Sequence, residues 1–319
     1  MKIIASALLA LFFVGSAGAQ SDYPNRVVRI VIPFATGGSV DTSARLVAQR
    51  LTDRLGQPVI VESRPGAGGA VGSEHVARSA PDGYTLLWGT VSTHAINASL
   101  HPNLRYDNIK DFAPITKLME QPLLVVVPVS APVNSLKELI SHQRANPGKS
   151  TFGSPGMGTT GHLTGELLKR RIGADMRHVV YKGSSPMLID LIAGTIDVGV
   201  DNLPSSLAQV KAGRLKALAI TSLERSTLAP GVPTLAESIP GLQVVAWQGL
   251  FAPANTPPAI LDRLSNEVQA ILKEPALEAR LLEMGTYPAG SSREAFAAFV
   301  KEETVRWADV VKASGVKIN

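Results

Sequence analysis

Short apolar runs and helically spaced apolar positions alternate along the chain. Residues 27–34 form a continuous β-branched apolar run, which predicts a strand covered on both faces. Residues 40–55 repeat apolar side chains at helical spacing and stop at Gly56, which predicts a helix. The same patterns predict a strand at 58–62, a helix at 70–80 and a strand at 84–88. Strands that alternate with short helices favour parallel pairing, with helices on both faces of the sheet.

A second unit with the same alternation follows the apolar run at 123–129. Residues 230–241 are dense in proline and glycine and predict no regular element. The predicted strands of this unit are 150–154, 177–181, 195–201 and 215–221, and its predicted helices are 161–171 and 185–193. The sequence therefore predicts two α/β lobes, each a mostly parallel sheet flanked by helices.

The last part of the chain predicts helices with no new sheet to cover. After a strand at 244–253, helices begin at Pro257, at Pro275 and at a capping box, Ser291-Ser292-Arg293-Glu294. We expect them to pack back on the first lobe, so that the chain crosses between lobes near 123–127 and again near 247–250. Lobe 1 then comprises residues 20–122 and 248–319, and lobe 2 comprises residues 123–247.

Residues 1–19 predict a secretory signal peptide. Lys2 precedes an apolar run at 3–14 that is too short to span a bilayer, and Ala17-Gly18-Ala19 forms a small-x-small cleavage site. We therefore expect export from the cytoplasm with cleavage before Gln20. The lack of a sustained heptad repeat predicts a monomeric mature protein.

Composition excludes several classes of protein. A chain of 319 residues that is 45% hydrophobic and 18% charged is long and apolar enough for two globular domains. It has no cysteine, which excludes disulfides, thiolate metal sites and cysteine nucleophiles. The net charge of +5 is scattered rather than concentrated in basic runs, so an anionic ligand is mildly favoured and nucleic acid is not expected.

Each lobe has a glycine-rich turn between its first strand and its first helix, at residues 33–39 and 153–161. Glycine lets the backbone approach a ligand, and the free N–H groups at a helix N-terminus bind an anion without a basic side chain. Both turns follow the carboxyl ends of strands, where open parallel sheets bind ligands. Together they form either an anion site across a cleft or two tight packing turns.

The sequence supports a catalytic function less well than it supports an anion-binding site. Gly156, Gly158 and Gly161 match a dinucleotide fingerprint, but Tyr181-Lys182 stand where its acidic residue is expected, so an NAD(P)-type oxidoreductase is an alternative only. Ser154 lacks the Gly-x-Ser-x-Gly context of hydrolases, and the histidines include no His-x-x-x-His pair. We expect no catalytic residue, cofactor or metal.

Side chains near the two turns have two interpretations each. His162 is a ligand contact or a solvated residue at a helix start, and Asp41 complements the helix dipole or holds a water in the cleft. Asp201 ends a strand and is a better site candidate than Asp197. Trp247 is a hinge packing residue or a wall of the cleft.

Motifs in order along the mature chain resemble one known family. They are Ile32-Pro33-Phe34-x-x-Gly37-Gly38-x-x-Asp41, Val61-Glu62-Ser63-Arg64-Pro65-Gly66-Ala67-Gly68-Gly69, Pro81-Asp82-Gly83-Tyr84, Gly153-Ser154-Pro155-Gly156-x-Gly158-Thr159 with His162, Tyr181-Lys182-Gly183, and Val232-Pro233-Thr234-Leu235-Ala236-Glu237. In this combination the chain resembles the tripartite tricarboxylate transporter receptors, the Bug family of periplasmic solute-binding proteins. The resemblance implies a two-lobed, type II Venus-flytrap fold and a small organic carboxylate ligand that is handed to integral-membrane permease subunits.

Carried over by position, the resemblance implies ligand contacts from both lobes. They are Phe34, Thr36, Gly37, Asp41 and Thr90 in the first lobe, and Ser154, Gly156, Thr159, Thr160, His162, Gly183 and Asp201 in the second. The identity of the acid stays open, and so does a receptor that serves a sensor kinase in place of a permease.

Overall fold

The computed structural model describes residues 23–317, so the predicted signal peptide and its cleavage site lie outside the described residues. The strands are β1 (Val28–Ile32), β2 (Val59–Ser63), β3 (Thr85–Thr90), β4 (Phe112–Pro128), β5 (Ser150–Ser154), β6 (Met176–Val180), β7 (Val198–Asn202), β8 (Leu215–Ile220), β9 (Val245–Pro253) and β10 (Tyr287–Pro288). The helices are α1 (Ser39–Leu55), α2 (Ala70–Ala77), α3 (Asn97–Leu100), α4 (Leu136–Ala145), α5 (Thr160–Ile172), α6 (Ser184–Ile192), α7 (Leu203–Lys211), α8 (Leu235–Ser238), α9 (Pro258–Leu272), α10 (Pro275–Glu283) and α11 (Arg293–Ser314).

The two α/β lobes share one long strand. In the first lobe β2, β1 and β3 are parallel, and β9 and β4 continue the sheet in antiparallel pairing. In the second lobe β6, β5 and β7 are parallel, and β4 pairs antiparallel with both β7 and β8. Strand β4 pairs with β9 as far as Pro122 and with β7 from Leu123 onward, so this strand carries the chain from one lobe into the other. The chain returns at Val244, whose N–H donates to the carbonyl of Thr221.

Helices cover both faces of each sheet, which explains the unbroken apolar strands. On one face of the first sheet α1, α9 and α10 pack around Trp88, and on the other face α11 buries Phe296 and Trp307. In the second lobe Phe152 lies in the core of one face and Met187 in the core of the other. The C-terminal helices therefore pack on the two faces of the first sheet. Helix α11 also contacts α5 of the second lobe, where Arg170 Nη1 donates to the Ala313 carbonyl at 3.0 Å.

Two predictions about local structure are wrong. Residues 230–241 do contain a helix, the single turn α8, which Thr234 and Glu237 close with a capping box. The capping box predicted at the last helix does not form, because Ser292 is the N-cap and its hydroxyl accepts the N–H of Ala295. Ser291 instead accepts the N–H of Lys117 on β4 and joins the helix start to the sheet.

Within residues 23–317, none of the helices has both the length and the apolar surface that crossing a bilayer requires.

Candidate functional site

A cavity lies between the lobes at the point where α1, α5, α6 and α7 begin. Its free volume is about 40 Å³, enough for only a few waters. The residues that line it are Phe34, Ala35, Gly38, Ser39, Val40, Thr90, Ser92, Leu123, Pro155, Thr159, Thr160, Gly161, Ser184, Asp201, Asn202, Ala246, Trp247 and Gln248. The lobes are therefore closed, and they must separate to admit an organic ligand.

Direct hydrogen bonds hold the two lobes together beside this cavity. The amide of Ala35 donates to the Lys182 carbonyl at 2.9 Å, and the hydroxyl of Ser185 donates to the Thr36 carbonyl at 3.0 Å. Ser39 accepts at its hydroxyl from Asn202 Nδ2 at 3.1 Å and donates its amide to another second-lobe side chain, the hydroxyl of Ser205. Two backbone N–H groups of the first glycine-rich turn, those of Ala35 and Ser39, are therefore used in contacts between the lobes.

Glycine permits this close approach of the lobes. A Cβ on Gly37 would lie 2.9 Å from the hydroxyl oxygen of Ser185, and one on Gly183 would lie 3.0 Å from Ala35. A Cβ on Gly68 would overlap the carbonyl oxygen of Met157. These glycines shape the interface between lobes and do not line the cavity.

Asp41 holds the first turn in shape. Its Oδ2 accepts the N–H of Gly37 at 2.9 Å, and its Oδ1 pairs with Arg45 Nε at 2.8 Å. Gly37 has a φ of +82°, a backbone conformation that favours glycine. Asp41, Gly37 and Thr36 do not line the cavity, whereas Phe34 from the same turn does.

The second turn is braced by its own side chains. Thr159 is the N-cap of α5, and its hydroxyl donates to the Gly156 carbonyl at 2.8 Å and accepts the N–H of His162 at 3.3 Å. His162 Nδ1 accepts the N–H of Gly158 at 3.1 Å, and its ring stacks on His178 with centroids 4.0 Å apart. Burial lowers the pKa of His162 to about 4, so the ring is neutral at neutral pH and can accept this bond.

Ser154 also forms hydrogen bonds that hold the second turn in shape. Its hydroxyl oxygen lies 2.8 Å from His178 Nε2 and 3.1 Å from the Gly156 carbonyl oxygen. Ser154 is fully buried and, like Gly156 and His162, does not line the cavity. Burial also lowers the pKa of His178, to about 3.

Residues that line the cavity at helix starts have amides without a hydrogen-bond acceptor. Within residues 23–317, the amides of Val40 on α1 and of Thr160 and Gly161 on α5 have no hydrogen-bond acceptor. First-turn amides carry the positive end of the helix dipole. The hydroxyl of Thr90 is also buried without a partner at the cavity. The arrangement can bind an anion through backbone amides and one hydroxyl.

Among the residues of 23–317 that line the cavity, Asp201 alone is ionisable. Ser184 donates to its Oδ1 at 2.6 Å and Ser206 to its Oδ2 at 3.3 Å. Complete burial raises the pKa of this carboxyl to about 6, although these hydrogen bonds and the amide of Asn202 oppose the rise. Arg64 and Lys182 do not line the cavity, and Arg64 pairs instead with Glu62.

Trp247 forms a wall of the cavity, together with neighbours that sequence reasoning missed. Gln248 lines the cavity beside it and accepts the indole N–H of Trp88. Ser184 is the first residue of α6, after Gly183, so it carries the same strand–glycine–helix signal that identified the two larger turns. Leu123 and Ala246 come from the segments that connect the lobes, and no local motif marks them as site residues.

The dinucleotide-like glycines of the second turn have a packing role. The absent Cβ of Gly161 allows α5 to pack directly on the carbonyl of Val200, which accounts for one glycine of the dinucleotide-like fingerprint. Among residues 23–317 no group of three or more His, Cys, Asp or Glu side chains could hold a metal ion.

The chain is similar to known proteins over almost its whole length. The model of the tripartite tricarboxylate transporter family receptor matches residues 43–316. Protein BugT of Bordetella pertussis is 36% identical, with 96% of each chain covered. Among solved structures, R. palustris Rpa4515 with adipate has a TM-score of 0.90 and 37% identity, covering 93% of this chain and 99% of its own. MatC from Rhodopseudomonas palustris with bound malate has a TM-score of 0.87 and 35% identity, covering 91% of this chain and 100% of its own.

Proposed function

This chain belongs to the tripartite tricarboxylate transporter receptor family and is a solute-binding receptor, and we propose that its cleft captures a small organic carboxylate. The observation that carries the proposal is the set of unpaired amides of Val40, Thr160 and Gly161 at a cavity to which the described part of the chain contributes no lysine or arginine. Two helix N-termini that point into one closed site favour a carboxylate over a neutral or cationic ligand. The adipate and malate present in the two similar structures support the same chemistry.

The proposed ligand contacts divide into two groups. Phe34, Thr90, Thr159, Thr160 and Asp201 line the cavity and would touch the ligand or its waters. The other positions that the resemblance implies would not touch the ligand; they would hold the turns in shape and allow the lobes to close. They are Thr36, Gly37, Asp41, Ser154, Gly156, His162 and Gly183.

We propose further that the predicted signal peptide at 1–19 directs the chain to the periplasm, where it acts as a monomer and delivers the acid to membrane permease subunits. Mass spectrometry of the periplasmic form would show a start near Gln20, and an intact Met1 would count against export with cleavage. Light scattering of the same sample would report the monomer.

A panel of organic acids tests the carboxylate proposal. Adipate, malate and related acids are compared with their amides in thermal unfolding, and an acid at 100 times its Kd should stabilise the folded state by about 2.7 kcal/mol. The amide of the same acid matches its shape without the charge, so it should stabilise far less. A panel in which no acid stabilises the protein, or in which amide and acid act equally, would refute the proposal.

A further inference from the structure

The two lobes also meet where helix α3 of the first lobe ends. There Gly158 of the second glycine-rich turn lies against the first lobe, and a Cβ on it would be 2.9 Å from Leu100 Cδ2. The same Cβ would be 3.1 Å from Asn97 Oδ1 and 3.8 Å from His101 Nε2. His101 follows α3 directly, and its N–H donates to the Asn97 carbonyl at 3.0 Å. These side chains therefore form part of the contact that closes the cleft.

Two polar atoms at this contact are buried without a hydrogen-bond partner within residues 23–317. They are Asn97 Oδ1 and His101 Nε2. Gly158 does not supply a donor, because its N–H is donated to His162 Nδ1 at 3.1 Å. When the lobes separate, Gly158 moves away and water can reach both atoms. Closure therefore removes the two atoms from water without replacing their hydrogen bonds, which costs free energy.

The cost at His101 depends on the protonation of its ring. A neutral imidazole has one donor and one acceptor nitrogen, whereas the protonated ring has two donors and a positive charge. A charged group that is buried without a partner costs far more free energy than a neutral one. The lobes therefore close more readily around the neutral ring of His101.

The groups around His101 do not compensate for a positive charge on its ring. Burial alone lowers the pKa of His101 from its ordinary value. The titratable side chains on the elements around it include Glu74, which pairs with Arg105, His94 on the turn before α3, His162 on α5, and Asp309 and Lys312 on α11, which packs on α3.

We propose that His101 makes closure of the lobes dependent on pH, so that the receptor retains its ligand with a neutral ring and releases it when the ring is protonated. This inference rests on the proposed function, because closure is what retains the acid. In the open protein His101 is in water, and its pKa is close to the ordinary value of about 6.5. The closed protein binds this proton less tightly, so closure is favoured above about pH 6.5 and is lost as the pH falls below it.

The affinity for an acid at two pH values tests the inference. Adipate and malate are titrated by calorimetry into the wild type and into His101→Leu at about pH 7.5 and about pH 5.5. The ratio of the two Kd values at each pH cancels the ionisation of the acid and of Asp201. Acidification should weaken the wild type by about tenfold relative to His101→Leu. At the higher pH His101→Leu should bind at least as tightly as the wild type, because it removes a buried unpaired nitrogen.

His142→Leu is the matched control. His142 is also partly buried, but it lies on α4, which packs in the core of the second lobe. This variant should keep the pH dependence of the wild type. A ratio of Kd values for the wild type and a folded His101→Leu variant that is the same at both pH values would overturn the inference, although it would leave the carboxylate proposal standing.

The separation of the lobes in the ligand-free protein tests the inference without any acid. The chain has no cysteine, so Asp53→Cys on α1 and Lys137→Cys on α4 place two spin labels on exposed residues of opposite lobes. Pulsed electron paramagnetic resonance should show a longer mean separation at about pH 5.5 than at about pH 7.5, and no such change when His101→Leu is added. Equal responses with and without His101→Leu would overturn the inference. If no acid of the panel binds, the proposed function is refuted, and this measurement still decides whether His101 controls closure.

Discussion

The indole nitrogen of Trp247 donates a hydrogen bond of 2.8 Å to Glu303 Oε2, which ties the wall of the cleft to the C-terminal helix. Trp307 donates to the same oxygen at 3.0 Å, and Arg306 Nη2 donates to it at 2.8 Å. The carboxylate is nearly buried, so these donors replace the water that it has lost. Trp247 is therefore fixed to the first sheet, where it pairs with Glu120 of β4, although the sequence prediction places residue 247 at the end of the second lobe.

Glu303→Gln should destabilise the protein and release the indole of Trp247. The neutral amide accepts more weakly than the carboxylate and loses the ion pair with Arg306, which should lower the free energy of unfolding by about 1–3 kcal/mol. Urea unfolding followed by tryptophan emission measures both effects. Glu302→Gln changes an exposed neighbour and should stay within about 0.5 kcal/mol of the wild type. Equal stability of the two variants would contradict the role given to Glu303.

Gly68→Ala should prevent full closure of the lobes. Gly68 has a φ of +60°, and its new Cβ would overlap the Met157 carbonyl oxygen of the opposite lobe. Gly213→Ala is the matched control, because Gly213 has a φ of +69° with nothing within 4 Å of the added Cβ. Both variants lose about 1–2 kcal/mol to the left-handed backbone, but only Gly68→Ala should also lose ligand affinity.

Small-angle scattering with a saturating acid separates the two glycine variants further. The wild type and Gly213→Ala should contract when the acid binds, whereas Gly68→Ala should keep a larger radius of gyration. Contraction of Gly68→Ala to the wild-type value would show that the Gly68–Met157 contact does not control closure.

The sequence predicts the parts of this architecture that local pattern determines. The strand–glycine–helix junctions at 33–39 and 153–161 follow from short-range spacing, and both helices begin within a residue of the predicted position. Contacts between lobes have no local signal: Ala35 and Lys182 meet only because two distant turns close on each other. The sequence also could not show that Asp41 and His162 accept hydrogen bonds from backbone amides of their own turns. Those bonds depend on the rotamer that each side chain adopts in the folded protein.

Asp201→Asn should change the pH dependence of stability. Burial raises the pKa of Asp201 from 3.8 to about 6 in the folded state, so the folded protein holds this proton more tightly than the unfolded chain. The stabilisation is complete below about pH 3.8 and is lost as the pH rises through about 6. The wild type should therefore lose roughly 2 kcal/mol relative to Asp201→Asn between about pH 4 and pH 7.

Urea unfolding of both proteins across this pH range measures that difference. Asp309→Asn removes one exposed carboxylate on α11 and controls for the change in net charge. Parallel curves for the wild type and Asp201→Asn would show that Asp201 is not held in its protonated form by burial.

Thr160→Pro should weaken carboxylate binding by removing a single amide donor. Thr160 is the first residue of α5, where proline is compatible with the helix, and the preceding Thr159 is already extended at φ −81° and ψ 162°. The substitution therefore deletes the unpaired N–H of a cavity residue while it preserves the helix start. The variant loses one charge-assisted hydrogen bond and gains proline ring atoms at the same position. Its affinity for the acid should therefore fall by more than about tenfold.

Three controls identify the amide as the cause. Thr160→Ala removes the hydroxyl but keeps the N–H, so it should bind nearly as well as the wild type. Arg64→Ala and Lys182→Ala remove basic side chains that do not line the cavity, and each should cost less than the ~1.4 kcal/mol of a tenfold change. Calorimetric titration with the acid that stabilises the wild type compares all four variants. If a folded Arg64→Ala or Lys182→Ala variant loses binding while Thr160→Pro retains it, an ion pair anchors the carboxylate and the helix terminus does not.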